Sequence, residues 1–481
     1  VDRASNTGTP QPSLSIKFRY DITKPLANIT IPYKTWHNAL PTISGTASDA
    51  FGVSSVKVTF QISPPGGSWW DGSGFSQNES GAVWENATVI GSDWWRTPVP
   101  SWNSGTEYNV RIRAWDNATN QSQEPPYIEK YFKYDAVTPT STVTYPQVGN
   151  YLSVVSISSG AHYDAHSGVE KVEIRIKNVT DNTFWNGTSF VAQSSWVVPG
   201  VGVWTSSWTY TTAVPWASGK VYQITSRAWD VAGSSEAASD VPSGGDIEFY
   251  FDNTKPETVV QLPSGGGKFY RTLTILSGTA SDPIPSGGTV ASGVETNGIE
   301  YALLNKTTNK WWSGSAFNSD NIQYFGASGD VSWQFAFSDI NWTDANVYLV
   351  VTRARDKAAP PNYESNFTVD VNSVTFTVDR STPVSMVRYP TEGLITNTLP
   401  TISGTAVDVN NPSSGINKVD VAIRKDAPAP VKWWDGSDFV SDVSSFVAAQ
   451  VLTPNNTFWW YTGFESKLVS HSTYTVFSRA T

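Results

Sequence analysis

Hydrophobic and polar residues alternate along many short stretches of this chain. The alternation is clear at residues 56–62, 108–114, 128–132, 172–176, 247–251 and 419–423. A period of two predicts strands with one buried face and one wet face. Clusters of Gly, Pro, Ser and Asn separate these stretches, and no stretch has a helical period. The pattern predicts an all-β protein of antiparallel β-sandwiches with about seven short strands each.

Four motifs recur in a fixed order, which identifies internal repeats. They are Ser-Gly-Thr-Ala-x-Asp, then Ser-Gly followed by Val or Ile, then Trp and turn residues followed by Phe, and finally Arg-Ala-x-Asp. Examples lie at 44–49, 167–169, 69–75 and 113–116. An Asp-x-x-x-Pro linker follows each unit, as at Asp135 to Pro139. A spacing of about 120 residues corresponds to a domain rather than to a solenoid repeat.

The linkers divide the chain into four repeats. The predicted boundaries are residues 1–24 for an orphan final strand, 25–138 for repeat 1, 139–255 for repeat 2, 256–382 for repeat 3, and 383–481 for repeat 4, which lacks a final strand. Because proline restricts the linker backbone, we expect the repeats to form a rod.

Together, these motifs resemble the bacterial immunoglobulin-like tandem repeats of large cell-surface or extracellular proteins. The resemblance covers nearly the whole chain and implies an immunoglobulin-like sandwich fold. It implies little about function, because such repeats serve as stalks, adhesins and enzyme accessories. A long Trp-rich middle, residues 64–103 in repeat 1, distinguishes these units from simple stalk repeats.

The first residues of the chain match the last strand of a repeat, and repeat 4 stops before that strand. Two explanations remain open: a window from a longer array, or donor-strand addition between copies. The predicted assembly residues are Ser15, Ile16, Lys17, Phe18, Arg19 and Tyr20. Head-to-tail contacts of this kind produce open filaments. The expected partner is therefore another copy of the chain or an adjacent repeat of a longer chain.

Composition narrows the function classes. The net charge is −10, and no basic run is present, which argues against nucleic-acid binding. Cysteine is absent, which excludes disulfides and thiolate chemistry. No apolar run approaches the length of a membrane span. These features suit an extracellular or cell-surface protein.

The 22 tryptophans have two interpretations. They fill the sandwich cores, or they form exposed platforms that stack on sugar rings. The candidate platform residues are Trp69, Trp70, Trp311, Trp312, Trp433 and Trp434. Because adjacent side chains on a strand point to opposite faces, one of each pair must lie outside or be covered. Packing in the cores is the favoured interpretation. The sugar-platform interpretation implies a cell-surface polysaccharide as the partner.

Aspartates at the ends of strands and in linkers are candidate Ca²⁺ ligands. We expect them to meet at one pole of each sandwich, in the sets Asp49, Asp116 and Asp135; Asp164, Asp230 and Asp252; and Asp282, Asp356 and Asp379. Carboxylates and backbone carbonyls are the ligands that Ca²⁺ takes. The alternative is that these side chains cap turns by accepting backbone N–H bonds.

No catalytic constellation is recognisable. The four histidines do not recur in phase, and every conspicuous feature is repeated, whereas a catalytic site normally occurs once. We therefore expect a non-enzymatic, extracellular structural protein, either a stalk or a fibre-forming array. The alternatives are an adhesive or carbohydrate-binding array and a non-catalytic region of a larger secreted enzyme.

Overall fold

The computed structural model confirms the all-β fold class. It describes residues 3–5, 16–63, 66–122, 124, 126–201, 206–237, 246–337, 340, 342–451 and 458–481. Within this part of the chain the only helical segments are two short 3-10 turns, at Glu79–Gly81 and Glu465–Lys467. None of the described helices could cross a membrane.

The chain divides into two compact units, residues 1–150 with 155–250, and residues 151–154 with 251–481. The described residues form eight β-sheets, two in each repeat. Each repeat combines a four-stranded sheet with a larger one, which is the tandem β-sandwich architecture that the alternation predicts.

Repeat 1 has eleven strands. They are β1 (Leu26–Ile31), β2 (Trp36–His37), β3 (Ile43–Ser48), β4 (Val53–Ser63), β5 (Trp69–Trp70), β6 (Phe75–Gln77), β7 (Glu85–Asn86), β8 (Thr88–Ile90), β9 (Asp93–Arg96), β10 (Thr106–Asp116) and β11 (Ile128–Tyr134). The smaller sheet has the order β1-β3-β9-β8 and the larger one β2-β11-β10-β4-β5-β6, with β7 on β4. Strand β2 pairs in parallel with β11.

Repeat 2 has ten strands. They are β12 (Thr140–Tyr145), β13 (Tyr151–Leu152), β14 (Ser158–Tyr163), β15 (Val169–Asn178), β16 (Thr183–Trp185), β17 (Phe190–Val191), β18 (Gly200–Val201), β19 (Ser207–Tyr210), β20 (Lys220–Asp230) and β21 (Ile247–Phe251). The smaller sheet has the order β12-β14-β19-β18, and the larger one includes β21-β20-β15-β16-β17.

Repeat 3 again has eleven strands. They are β22 (Glu257–Leu262), β23 (Phe269–Tyr270), β24 (Ile275–Ser281), β25 (Val294–Asn305), β26 (Lys310–Trp312), β27 (Phe317–Ser319), β28 (Phe325–Gly326), β29 (Ser328–Gly329), β30 (Ser332–Ala336), β31 (Val347–Asp356) and β32 (Ser373–Val378). The sheet orders are β22-β24-β30-β29 and β23-β32-β31-β25-β26-β27, with β28 on β25.

Repeat 4 has nine strands among its described residues. They are β33 (Val384–Tyr389), β34 (Thr401–Val407), β35 (Val419–Ala427), β36 (Lys432–Trp434), β37 (Phe439–Ser441), β38 (Val447–Ala448), β39 (Gln450–Val451), β40 (Phe458–Thr462) and β41 (Thr473–Ala480). The smaller sheet has the order β33-β34-β40-β39. The larger sheet has β37-β36-β35-β38, and β41 pairs with β35.

The glycine of the Ser-Gly-Thr-Ala motif lies under a buried tryptophan in the smaller sheet. In repeat 3, a Cβ on Gly278 would lie 2.0 Å from the carbonyl oxygen of Val259 and 2.5 Å from the Trp333 indole. Trp333 is buried, and its Nε1 donates to Thr279 O at 3.1 Å. The same contact recurs with Gly45, Gly160 and Gly404, under Trp94, Trp208 and Trp459. The motif is therefore explained by close packing, because only glycine leaves room for the indole.

Candidate functional sites

Three groups of aspartates lie at equivalent places in repeats 1, 2 and 3. Cluster 1 is Asp21, Asp49 and Asp116, cluster 2 is Asp135, Asp164 and Asp230, and cluster 3 is Asp252, Asp282 and Asp356. In each cluster, one carboxylate oxygen from every member lies within 4.8 Å of those of the others. Three like charges at this separation repel one another, particularly when water is excluded.

The antiparallel register brings each cluster together at one end of its sandwich. In repeat 1, Leu26 at the start of β1 lies opposite Ser48 at the end of β3, and Asp49 follows Ser48. Asp116 ends β10 opposite Val53 at the start of β4. Asp21 precedes β1 in the linker, so all three carboxylates reach the same pole.

The expected grouping of these residues is wrong, because each linker aspartate belongs to the cluster of the repeat that follows it and not to that of the repeat before it. Asp135 joins Asp164 and Asp230 rather than Asp49 and Asp116, and Asp252 likewise joins the repeat that follows it. The reason is strand direction. Strands β10 and β11 are antiparallel, with Thr106 opposite Tyr134. The residue after β11 therefore lies at the opposite end of the sandwich from Asp116.

Backbone amides hold the carboxylates of cluster 2. Asp135 Oδ2 accepts from the Ser167 amide at 3.0 Å, and Asp164 Oδ2 accepts from the Gly168 amide at 2.7 Å. Asp230 Oδ1 accepts from the amides of Gly233 and Ser234, both at 2.6 Å. The Ser-Gly motif before β15 thus presents its amides to two of the three carboxylates, which explains its recurrence.

Cluster 3 repeats this arrangement. Asp252 Oδ2 accepts from the Ser292 amide at 2.7 Å, and Asp282 Oδ2 accepts from the Gly293 amide at 2.8 Å. Asn362 Nδ2 donates to Asp356 Oδ2 at 2.6 Å and to the carbonyl oxygen of Asp252 at 3.0 Å. Cluster 1 has the same link, from Asn120 to Asp116 and to the Asp21 carbonyl oxygen.

Some carboxylate oxygens in the clusters are buried without a hydrogen-bond partner among the described residues. They are Asp21 Oδ2, Asp164 Oδ1, Asp230 Oδ2 and Asp282 Oδ1. Burial, followed by repulsion from Asp252, raises the pKa of Asp282 to about 6. Burial also raises the pKa values of Asp230 and Asp356. Clusters 2 and 3 therefore contain carboxylates whose negative charge burial disfavours. In cluster 1, burial raises the pKa of Asp116, but hydrogen bonds from Asn120 and backbone amides lower it more, so the pKa lies below its ordinary value.

Repeat 4 has a different arrangement at this place. Asp379 and Asp408 are bridged by the Ser381 hydroxyl, which lies 2.7 Å from Asp379 Oδ1 and 2.9 Å from Asp408 Oδ1. Ser414 and Asn410 donate to Asp379 as well. Burial raises the pKa of Asp379, but these hydrogen bonds lower it more, so the pKa lies below its ordinary value. The expected grouping of Asp379 with Asp282 and Asp356 is also wrong.

Every described tryptophan is buried or half-buried. Among the candidate platform residues, Trp69, Trp312 and Trp434 are buried, whereas Trp70, Trp311 and Trp433 are half-buried. Arg111 lies over the Trp69 ring at 4.6 Å, and Arg424 lies over the Trp433 ring at 5.4 Å. Arginines therefore cover faces that a sugar platform would present, and sugar binding at these positions stays a prediction.

A tyrosine at the start of the penultimate strand organises the larger sheet in every repeat. Tyr108, Tyr222 and Tyr348 are buried and stack on a phenylalanine of the last strand, with ring centroids 5.5, 5.8 and 5.5 Å apart. Their partners are Phe132, Phe249 and Phe376. An edge-on tryptophan packs against each pair.

The equivalent residue in repeat 4 is Tyr474. Its hydroxyl accepts from the Val469 amide at 2.8 Å, as that of Tyr348 does from the Thr343 amide. Among the described residues, its aromatic ring contact is Phe439, and no phenylalanine stacks on its other side. The outer edge of β41 pairs with no described strand. Repeat 4 therefore presents an open sheet edge beside Tyr474.

The predicted assembly segment is exposed. Ile16, Phe18 and Tyr20 are 90%, 84% and 76% exposed, and the segment forms no strand. Arg19 lies over the Phe51 ring at 5.3 Å. Ser15 lies outside the described residues. The assembly role expected for this segment stays a prediction.

No family model matches the chain, and no curated protein matches it. Among solved structures, the chain is similar to protocadherin gamma B2 extracellular cadherin domains 3–6, with 13% identity, a TM-score of 0.29, and 95% of each chain covered. It is also similar to fibronectin(III)-like modules of Clostridium thermocellum CbhA, with 13% identity, a TM-score of 0.25, and coverage of 47% of this chain and 94% of that one. The finer resemblance to bacterial immunoglobulin-like repeats stays a prediction.

Sequence reasoning left Asp21 and Asp408 out of the candidate ligands. The signal for Asp21 was available, because Asp21 and Pro25 form the same linker as Asp135 and Pro139. Sequence reasoning also did not single out Tyr474, although a tyrosine lies near the start of the same strand in each repeat. Whether a phenylalanine stacks on the tyrosine ring of a given repeat depends on the tertiary packing.

Proposed function

We propose that this chain is an extracellular structural protein whose immunoglobulin-like repeats assemble head to tail. Residues Ile16–Tyr20 of one copy add to the open edge of β41 in another copy. Because the two surfaces differ, the contact is heterologous and continues into a filament. The observation that carries the proposal is the open edge at Tyr474 together with an exposed segment that matches the missing strand.

The end of the segment matches the end of the last strand of repeat 1, since Phe18, Tyr20 and Asp21 align with Phe132, Tyr134 and Asp135. Counting back from the linker aspartate, Phe18 corresponds to Phe132, Phe249 and Phe376. In repeats 1 and 3 these phenylalanines lie directly opposite the tyrosine, as in the pairs Tyr108 with Phe132 and Tyr348 with Phe376. The same register places Phe18 of the incoming strand on Tyr474. Stacking and burial of that ring would stabilise the contact.

Backbone pairing supplies the rest of the contact. Strands β10 and β31 are hydrogen-bonded on both sides, whereas β41 pairs with β35 alone among the described strands. An added strand would satisfy the amides and carbonyls on the outer edge of β41. It would also cover Phe477 and Val476, which are exposed or half-buried.

Light scattering over a concentration series tests the assembly. We expect the intact chain to form linear oligomers that grow with concentration, and Phe18→Asp to abolish that growth by placing a charge beside Tyr474. Ile22→Asp is the matched control, since Ile22 is also exposed, at 70%, but lies outside the matching segment. Growth that persists in Phe18→Asp, or a monomer at every concentration, would overturn the proposal.

A cysteine pair tests the register. The chain has no cysteine, so a disulfide can form only at introduced sites. In the proposed register Thr475 lies opposite Lys17 of another copy, as Asn109 lies opposite Tyr131. We expect mixed Lys17→Cys and Thr475→Cys chains to form a disulfide-linked dimer on oxidation. Ile22→Cys mixed with Thr475→Cys should not, and equal cross-linking of both pairs would contradict this register.

A further inference from the structure

We propose that clusters 1, 2 and 3 each bind one divalent cation of the Ca²⁺ class. Each site would join the linker aspartate to two strand ends of the repeat that follows it. The inference does not require the head-to-tail contact, because each cluster is complete within one chain, although Asp21 of cluster 1 directly follows the assembly segment.

The first argument is charge. In clusters 2 and 3, two of the three aspartates are buried and the third is half-buried. Lysines close to these repeats are paired with carboxylates outside the clusters, as Lys171 is with Glu173 and Lys418 with Asp420. Buried carboxylates are ordinarily paired with a cation or coordinate a metal.

The second argument is an oxygen without a partner. Asp230 is fully buried, at 0% exposure. Its Oδ1 accepts two amide hydrogen bonds, but its Oδ2 has no partner in the described part of the chain. Asp164 Oδ1, in the same cluster, is also without one. A bound cation would satisfy both oxygens, whereas leaving them unpaired in the interior is costly.

The donor set indicates the class of cation. The described groups contain only carboxylates, with neither a histidine nitrogen nor a cysteine sulfur. Oxygen-only sites suit hard cations, and Ca²⁺ accepts six to eight oxygens in flexible geometry. Carbonyl oxygens and water would complete the shell, since three aspartates supply only some of the ligands.

Repeat 4 provides an internal comparison. Asp379 and Asp408 form no three-carboxylate cluster among the described residues, because the nearby Asp344 is bridged to Asp379 through Asn410, and serine hydroxyls and Asn410 occupy their oxygens. A pair satisfied in this way has less need of a cation. We therefore expect three binding sites in the chain rather than four.

Calorimetric titration of the chelator-treated intact chain with CaCl₂ tests the number of sites. It is carried out on the Phe18→Asp chain as well, so that binding is separated from assembly. We expect a stoichiometry of about three, falling by one in Asp230→Asn and by one in Asp49→Asn. Asp49 is half-buried, so that variant tests cluster 1 without disturbing a core residue.

The control variants are Asp71→Asn and Asp435→Asn. These aspartates make the same amide-accepting turns but lie outside the clusters. Both controls should keep three sites. No binding of Ca²⁺ or Mg²⁺ at millimolar concentration would overturn the proposal. So would an undiminished stoichiometry in Asp49→Asn and Asp230→Asn, or a loss of binding in the two controls.

Discussion

The smaller sheets of repeats 3 and 4 have the same strand order, whereas their larger sheets differ. Their smaller sheets have the same four-strand order, and both place a buried tryptophan over a glycine. In the larger sheet, β31 lies between β25 and β32 and alternates between buried and half-buried residues. Among the described strands, β41 pairs only with β35, and it has no buried residue. The penultimate strand therefore depends on its outer neighbour for burial.

The aromatic residues around the recurring tyrosine show where the larger sheets of the two repeats differ. In repeat 3, Tyr348 contacts Trp342 at 4.8 Å and Phe376 at 5.5 Å between ring centroids. In repeat 4, the residue at the tryptophan position is Leu468, which is only partly buried. Among the described residues of repeat 4, the tyrosine thus lacks its stacked phenylalanine, and the outer edge of β41 lacks a paired strand.

Trp342→Ala should have the largest effect, because it makes repeat 3 resemble repeat 4. Trp342 is buried, and its Nε1 donates to the Leu273 carbonyl oxygen at 2.8 Å. Removing a buried tryptophan costs about 4 kcal/mol. Hydrogen exchange measured by mass spectrometry should show faster exchange in β31, approaching that of β41. The half-buried Trp311→Ala serves as control, and unchanged protection of β31 in Trp342→Ala would refute the dependence.

Gly278→Ala and Gly404→Ala test the smaller sheet, which has the same strand order in both repeats. Each adds a Cβ about 2 Å from a backbone carbonyl oxygen and against an indole, so each should destabilise its repeat by about 3 kcal/mol. Thermal unfolding followed by calorimetry measures the effect. Gly326→Ala is the control because open space surrounds that position. A much smaller loss in repeat 4 than in repeat 3 would mean that the smaller sheets are not equivalent.

Replacing the tyrosine hydroxyl should have the smallest effect and should separate the two repeats. Tyr348→Phe removes a part-buried hydrogen bond between the hydroxyl of the buried Tyr348 and the Thr343 amide, which costs about 1 kcal/mol. Tyr474→Phe should cost less, since water reaches the exposed Val469 amide. Chemical denaturation of both variants checks the order, and equal losses would show that Tyr474 is as buried in solution as Tyr348.

Alternation and repetition were sufficient to predict the β-sandwich class, because a period of two is set locally along each strand. The pole at which each aspartate lies was not predictable in the same way. Asp116 and Asp135 are close in sequence, but they end antiparallel strands and so point to opposite ends. The burial of tryptophan pairs also depends on context: Trp69 is covered by Arg111 in repeat 1, whereas Trp312 is the buried member in repeat 3.

The three carboxylate clusters have a consequence for the way in which each repeat is stabilised. Each cluster joins residues about 100 positions apart, the span over which a cross-link removes roughly 4.7 kcal/mol of unfolded-chain entropy in the loop-closure model. Secreted proteins commonly use disulfides for this purpose, and this chain has no cysteine. A cation held only by the folded repeat would leave the unfolded chain unconstrained and would instead stabilise the folded repeat reversibly, by mass action. The free cation concentration would then set how tightly each linker is tied to its sandwich.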